Sequence, residues 1–165
     1  MIQKTNKAFT LIELLIVIAI IGLLASIVMG ALGTARAKGR DALRKQDMQQ
    51  LKTALNLYYQ NTGTMPANQT IGIGYSDTQP NFLIELVNTG ILAKIPHAPA
   101  GGAPYYYYDY GLGNNGVGAL VTTVLEASTA SVTGEQGTCR PWPVSSGVGW
   151  CEQSVSQWYC LCNTY

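Results

Sequence analysis

The chain has 165 residues, enough for one domain with a modest hydrophobic core, and a formal net charge of +1. A charge so close to zero gives no strong overall field, so the composition excludes a protein held to nucleic acid or anionic lipid by its total charge. Charged residues make up 12% of the chain, and they are nearly absent from one long stretch near the N-terminus, where the first predicted element lies.

That first element is an apolar helix of membrane-spanning length. The 19 residues from Leu14 to Leu32 carry no charge, and at about 1.5 Å per residue they span roughly 28 Å, close to the thickness of the hydrocarbon layer. A conventional signal peptide has a shorter apolar region that is followed by its cleavage site. Here the small residue Ala8 precedes the apolar run, so cleavage after it would leave the membrane helix in the product.

Glu13 is the only charged residue between Ala8 and Arg36. A carboxylate near the end of a membrane helix is costly unless a partner compensates its charge. The simpler alternative is a side chain that reaches the membrane surface, because Glu13 lies close to the start of the apolar segment. We interpret Glu13 instead as a functional residue whose partner has to be identified.

Residues 7–22, KAFTLIELLIVIAIIG, resemble the class III signal of type IV pilins and type II secretion pseudopilins. The resemblance implies that a prepilin peptidase cleaves between Ala8 and Phe9 and N-methylates Phe9. The family usually has glycine before the cut, and Ala8 is a variant of that pattern. The resemblance also implies that Glu13 neutralises the N-terminal amine of an adjacent subunit, so that one axial offset between neighbouring helices satisfies the buried charge.

The same helix is predicted to continue beyond the membrane as an amphipathic segment that ends near Asn61. Its apolar face is formed by residues at helical spacing, with two more that broaden it: Met48, Leu51, Leu55 and Tyr58, then Ala54 and Leu57. Gly63 and then Pro66 provide the stop. We expect the basic residues between Arg36 and Lys45 to lie at the lipid headgroups or against acids of neighbouring subunits, or, before assembly, to form a solvated helix face that anchors at the membrane surface.

Four glycines interrupt this long helical pattern: Gly22, Gly30, Gly33 and Gly39. Each costs up to about 1 kcal/mol relative to alanine in a helix interior. Two interpretations stay open: small residues let helices approach closely in lipid, or they are weak points at which the helix can stretch once it leaves the bilayer.

The C-terminal head is predicted to hold a short helix and an antiparallel sheet of three or four strands. The helix is expected at Phe82–Val87, and the strands at Tyr105–Tyr110, Gly118–Ala127 and Trp158–Cys162. Alternation along the tyrosine strand puts three side chains on each face, with one row covering the long helix. We therefore predict an α+β fold in which the long helix packs across the sheet; the order of elements resembles the pilin fold.

All four cysteines lie in the last 27 residues: Cys139, Cys151, Cys160 and Cys162. An even number behind a membrane segment predicts disulfides formed in an oxidising compartment. Cys160 and Cys162 share one face of a strand, so a bond between them is geometrically poor. Two pairings remain open, Cys139–Cys162 with Cys151–Cys160 or Cys139–Cys160 with Cys151–Cys162, and we favour the first.

Orientation in the membrane is a point of conflict. Two lysines precede the apolar helix and five lysines and arginines lie between Arg36 and Lys45, which by itself places the C-terminal side in the cytoplasm. The cysteines argue for the opposite side. We expect a single-pass protein of the bacterial cytoplasmic membrane with its C-terminal domain outside, and later a surface or periplasmic filament.

The resemblance divides the chain into four parts: a leader over residues 1–8, a transmembrane and assembly helix over 9–32, its amphipathic half over 33–61, and a globular head with a disulfide-bonded C-terminal region over 62–165. An enzyme is not expected, because His97 is the only histidine and no nucleophile or phosphate-loop motif is present. Neither a metal nor another cofactor is expected, since the acids of the head (Asp109, Glu126, Glu135, Glu152) do not form a D-x-D cluster.

The predicted function is a structural subunit of a type IV pilus-like filament that polymerises with its own copies through the N-terminal helices. The expected partners are a prepilin peptidase, an inner-membrane assembly platform, and membrane lipid before assembly, with no nucleic acid among them. The alternatives are a pseudopilin of a type II secretion system, a minor tip pilin that acts as an adhesin or DNA-uptake receptor, and an ordinary membrane-anchored protein.

Overall fold

The computed structural model describes residues 9–67, 75–111, 118–127, 151 and 157–163. The chain divides into two units between Ala37 and Lys38, and helix α1, Leu11–Thr62, contributes to both. Among the described residues, α1 is the one helix long and apolar enough to cross a membrane, judged by length and composition. The predicted boundary at residue 8 lies at the edge of the described residues, and the one at residue 32 falls within α1, so both stay predictions.

The N-terminal unit consists of the apolar part of α1. Every residue of α1 from Leu11 to Arg36 is exposed, and large aliphatic side chains occur all around the helix, as is typical of a helix that contacts lipid or other helices. The Ser26 hydroxyl donates a hydrogen bond of 2.7 Å to the Leu23 carbonyl, so the helix itself satisfies this polar group.

In the C-terminal unit, the second half of α1 carries one buried face. Met48, Leu51 and Leu55 are completely buried, as their spacing predicts. Leu57 was predicted to broaden this face and is instead 46% exposed. The reason is geometric, because at about 100° per residue Leu57 points roughly 180° away from Met48.

Helix α1 ends where the sequence predicts. Gly63 has a φ of 73°, the left-handed conformation that glycine adopts most easily. Its N–H donates a hydrogen bond of 2.8 Å to the Tyr59 carbonyl, which satisfies one of the free carbonyls at the helix end.

The sheet has four antiparallel strands in the order β1-β2-β3-β4. They are β1 Tyr75–Ser76, β2 Tyr106–Asp109, β3 Ala119–Val124 and β4 Trp158–Asn163. Helix α2, Ile84–Asn88, lies between β1 and β2 in the chain. The predicted α+β fold is thus confirmed, and β1 supplies the fourth strand, which the sequence analysis did not locate.

The two faces of the sheet have different coverings. Tyr105 and Tyr107 pack in the core formed with α1, and their hydroxyls donate hydrogen bonds of 2.6 Å to Asp47 and 2.7 Å to the Pro66 carbonyl. Tyr108 packs on the opposite face, in a second cluster that includes the Cys151–Cys160 disulfide. The predicted division of the tyrosines between the faces is confirmed. Residues 112–117, between β2 and β3, and residues 128–150 lie outside the described residues.

Candidate functional site

The N-terminal end of α1 forms a capping box around Glu13. The Glu13 carboxylate accepts hydrogen bonds from the Thr10 backbone N–H at 2.9 Å and from the Thr10 hydroxyl at 2.7 Å. The Glu13 backbone N–H in turn approaches the Thr10 hydroxyl oxygen at 3.4 Å. This reciprocal arrangement satisfies backbone donors that a helix start leaves free. The signal for it, Thr10 followed three residues later by Glu13 ahead of an apolar run, was available in the sequence and was missed.

The capping box fixes where the Glu13 carboxylate lies. It sits at the level of Thr10, one residue after Phe9, whose side chain is 81% exposed. The carboxylate is therefore held at the end of the helix where a processed chain would have its amine. Ala8, the other half of the predicted cleavage site, lies outside the described residues, and the roles of Ala8, Phe9 and Glu13 stay predictions.

A second polar site lies at the start of the C-terminal unit, where α1 meets the residues that follow β3. We call Arg40, Asp41, Arg44 and Glu126 the ionic cluster. Arg40 donates from Nε to both Glu126 carboxylate oxygens at 3.0 Å, and its Nη2 lies 2.5 Å from one of them. Arg44 Nη2 contacts the other Glu126 oxygen at 2.5 Å.

Asp41 is the remaining member of the ionic cluster. One of its oxygens accepts a hydrogen bond from Arg44 Nη1 at 3.0 Å and from the Glu126 backbone N–H at 2.8 Å. Its other oxygen accepts from the Ala127 N–H at 2.8 Å. One carboxylate on α1 therefore accepts hydrogen bonds from two successive backbone amides just after β3.

The charged side chains of Asp41 and Arg44 are buried, so the contacts of the ionic cluster matter for stability. The Arg44 side chain is fully buried and that of Asp41 is 7% exposed, so neither charge is stabilised by bulk water and each depends on its partners. The hydrogen bonds from Arg40, followed by the contacts with Arg44, lower the pKa of Glu126 to about 2, against an opposing effect of burial. In turn, the Glu126 carboxylate raises the pKa of Arg40.

The ionic cluster corrects the expectation for the basic residues after the membrane segment. Arg40 and Arg44 were expected to face lipid headgroups or acids of a neighbouring subunit. Both instead pair with Glu126 of the same chain. Glu126 follows Arg40 by 86 residues in sequence, and a pairing across that separation leaves no periodic signal that could have revealed it.

Of the two disulfide pairings left open, the favoured one agrees with the structure at the bond between Cys151 and Cys160, which lies within the described residues. Cys151 and Cys160 form a disulfide with their Cα atoms 5.8 Å apart, which excludes the alternative in which these two residues bond elsewhere. Cys160 and Cys162 lie on the same face of β4, as predicted. The bond Cys139–Cys162 stays a prediction, because Cys139 lies outside the described residues.

The remaining candidate polar residues that the structure describes have structural contacts, whereas Glu135 and Glu152 lie outside the described residues. His97 is exposed and lies 3.8 Å from Asp77, while Asp77 itself accepts hydrogen bonds from the Ala98 and Tyr105 backbone N–H groups. Asp109 accepts a hydrogen bond from the Gly111 N–H. Within the described ranges, no three histidine, cysteine or acidic side chains are grouped as a metal site would require.

Comparison with known proteins identifies the N-terminal segment. The family model for the prokaryotic N-terminal methylation motif matches residues 3–29, the stretch that includes Phe9, Thr10 and Glu13. No solved structure matches the chain.

Curated relatives extend the similarity beyond the motif. A fimbrial protein of Neisseria meningitidis is 47% identical over 67 residues, which cover 39% of this chain and 38% of that protein. A type IV major pilin of Neisseria gonorrhoeae is 45% identical over 70 residues, covering 41% and 32%. A fimbrial protein of Eikenella corrodens is 43% identical over 76 residues, covering 44% and 48%. The chain thus matches less than half of the length of each of these relatives.

Proposed function

We propose that this chain, which carries the prokaryotic N-terminal methylation motif and is similar in part to type IV pilins, is a structural subunit of a type IV pilus-like filament. A prepilin peptidase cleaves it between Ala8 and Phe9 and methylates Phe9. The mature chain stays in the membrane until an assembly platform adds it to the filament. The observation that carries the proposal is the match over residues 3–29, which overlaps the exposed, apolar first part of α1, where Glu13 is the one charged residue up to Arg36.

The exposed part of α1 requires a covering. A contiguous apolar surface of this size is not stable in water, so lipid covers it before assembly and the same helix of neighbouring subunits covers it in the filament. Lipid and helix are equally apolar, and close packing and polar pairing then decide which is preferred. Glu13 supplies the polar pairing, because its carboxylate is compensated when the methylated amine of an adjacent subunit approaches it.

The capping box adds a constraint to this pairing. Thr10 holds the Glu13 carboxylate at the helix end, so the amine of a neighbouring subunit meets a carboxylate whose position is already fixed. Pre-orientation of this kind lowers the conformational cost of forming the contact. Glu13 therefore makes two separate contributions: it caps its own helix, and it offers a charge to a neighbouring subunit.

Two variants test the proposal. Glu13→Gln keeps a side chain that can complete the capping box but removes the charge, and Glu13→Leu removes both. We expect both variants to reach the membrane and to be cleaved, and both to lose surface filaments by at least tenfold in shearing assays. Normal filament numbers from processed, membrane-resident Glu13→Gln and Glu13→Leu chains would contradict the proposal.

Mass spectrometry of the sheared fraction tests processing and distinguishes a pilus from a secretion pseudopilus. We expect surface filaments in which this chain is abundant and begins at methylated Phe9. Retention of the chain in the periplasm would favour the pseudopilin alternative, and trace amounts confined to filament tips would favour a minor adhesin. A chain that keeps residues 1–8 in the membrane would favour an ordinary membrane anchor.

A further inference from the structure

The ionic cluster contains the first buried side chain of α1. Residues from Leu11 to Arg36 are exposed, Ala37 and Arg40 are half-buried, and Asp41 and Arg44 are buried. We propose that the cluster is a clamp that limits local opening of α1: the helix can unwind as far as Gly39 while the part after Arg40 stays packed in the head. The biological purpose of this clamp rests on the proposed filament function, whereas its structural action does not.

The segment before the clamp is weak as a helix. Gly30, Gly33 and Gly39 all lie in α1, and glycine favours a helix less than any residue except proline. A Cβ added at any of the three would meet nothing within 4 Å, so close packing within the chain does not explain them. A helix without tertiary contacts depends on propensity alone once it is outside lipid, and these glycines therefore place the easiest opening just before Arg40.

At the clamp, further unwinding of α1 becomes much more costly. Unwinding one turn past Arg40 separates Asp41 from the backbone N–H groups of Glu126 and Ala127, both held at 2.8 Å. The same movement leaves the buried Arg44 guanidinium without its partners. Removing one partner of a buried ion pair is far more costly than removing an exposed one, so the opening stops at a defined residue.

The position of the clamp suggests what it provides to a filament subunit. It fastens α1 to the backbone just after β3, ahead of the apolar core around Met48 and Leu51. Strain in the preceding helix, as a subunit leaves the bilayer, is then absorbed between Gly30 and Gly39. The head keeps one fixed attachment to α1 whatever the state of the helix before it.

Limited digestion of the full chain in detergent micelles tests the clamp, because tryptic sites flank it on both sides. Arg36 and Lys38 precede it, and Arg44 and Lys45 lie within or just after it. We expect trypsin to cut the unaltered protein after Arg36 and Lys38, so that mass spectrometry finds head fragments beginning at Ala37 or Gly39. In Glu126→Gln, cleavage after Arg44 and Lys45 should become at least tenfold faster, and cleavage after Lys52 should accelerate far less.

Glu85→Gln is the matched control, because it makes the same chemical change at a partly exposed acid of α2 and should leave every cleavage rate unaltered. Gly33→Ala should slow cleavage after Lys38 without affecting Arg44. The clamp is refuted if Glu126→Gln leaves the cleavage rates after Arg44 and Lys45 unaltered. It is also refuted if cleavage after Lys52 accelerates equally, since the cluster would then only stabilise the whole head. The assay needs no filaments, so its failure is distinct from failure of the proposed function.

Discussion

At the scale of single residues, Arg44 shows how a charged side chain can be buried completely in this head. Its guanidinium contacts Glu126 and Asp41, and Gly102 leaves the space that it occupies. A buried ion pair is weak evidence for stability in itself, but its geometry is demanding once the charges are inside. The position opposite Arg44 is therefore restricted to a residue without a side chain.

The first prediction concerns this position. A Cβ added at Gly102 would lie 1.6 Å from Arg44 Nη2 and 2.7 Å from its Cζ, so Gly102→Ala must displace the guanidinium. We expect the free energy of unfolding of the full chain in micelles, measured by urea titration and near-UV circular dichroism, to fall by about 1–3 kcal/mol.

Gly39→Ala is the control for this change. A Cβ at Gly39 meets nothing within 4 Å, and alanine is the better helix former, so this variant should be neutral or more stable by up to about 1 kcal/mol. Equal stability of Gly102→Ala and the unaltered chain would show that Arg44 can move aside at no cost.

The second prediction concerns pH. Arg40 is the largest cause that lowers the pKa of Glu126, which falls from 4.5 to about 2. Between these values the unfolded chain binds a proton that the folded chain does not, so stability must fall as the pH decreases through this window. Above about pH 5, Glu126 is ionised in both states and contributes no pH dependence.

Glu126→Gln isolates this effect, because glutamine does not titrate. Urea titrations at a series of pH values should show that the stability difference between the unaltered chain and Glu126→Gln is constant above about pH 5 and shrinks toward pH 2. A difference that stays constant down to pH 2 would mean that Arg40 and Arg44 do not hold the carboxylate ionised.

At the scale of elements, those with a strong periodic pattern were predictable. The long helix with its Gly63 stop, the short helix and three strands follow from repeats and stop signals in the sequence. Strand β1 was missed because its two residues, Tyr75 and Ser76, are too few to show an alternation. The ionic cluster was missed because charges carry no period, and partners 85 residues apart, such as Asp41 and Glu126, meet only through the tertiary fold.

The third prediction compares two leucines of the amphipathic half of α1. Leu55 is completely buried in the core and Leu57 is 46% exposed. Leu55→Ala removes buried methyl groups and leaves a cavity, which should cost about 2–5 kcal/mol. Leu57→Ala should change the free energy of unfolding by less than about 0.5 kcal/mol, as is usual for surface substitutions. Similar losses in the same urea titration would mean that Leu57 is covered in the folded chain.

At the scale of the whole molecule, the charge count and the cysteines gave opposite orientations in the membrane. Arg40 and Arg44 are paired with acids of the head in the folded chain, but acids weigh little in the positive-inside bias, so this pairing does not change the count. The positive-inside bias also acts through short flanking loops, whereas long domains cross the membrane largely regardless of charge. Disulfides such as Cys151–Cys160 form and persist mainly in oxidising compartments. The disulfide therefore favours a head outside the cytoplasm, and the charge count does not exclude it.

The fourth prediction follows from this orientation. Trypsin added to intact spheroplasts reaches only the outer side of the cytoplasmic membrane, so it should release the head and leave a membrane fragment that ends at Arg36 or Lys38. Cys151 and Cys160 should take up a thiol reagent only after reduction, because their sulfurs are bonded to each other. A cytoplasmic protein in the same cells should remain intact. The opposite result would be a head that resists trypsin in spheroplasts, is cut only in inverted vesicles, and has cysteines that are labelled before reduction. In that case the basic residues would have set the orientation, and no filament could form outside the cell.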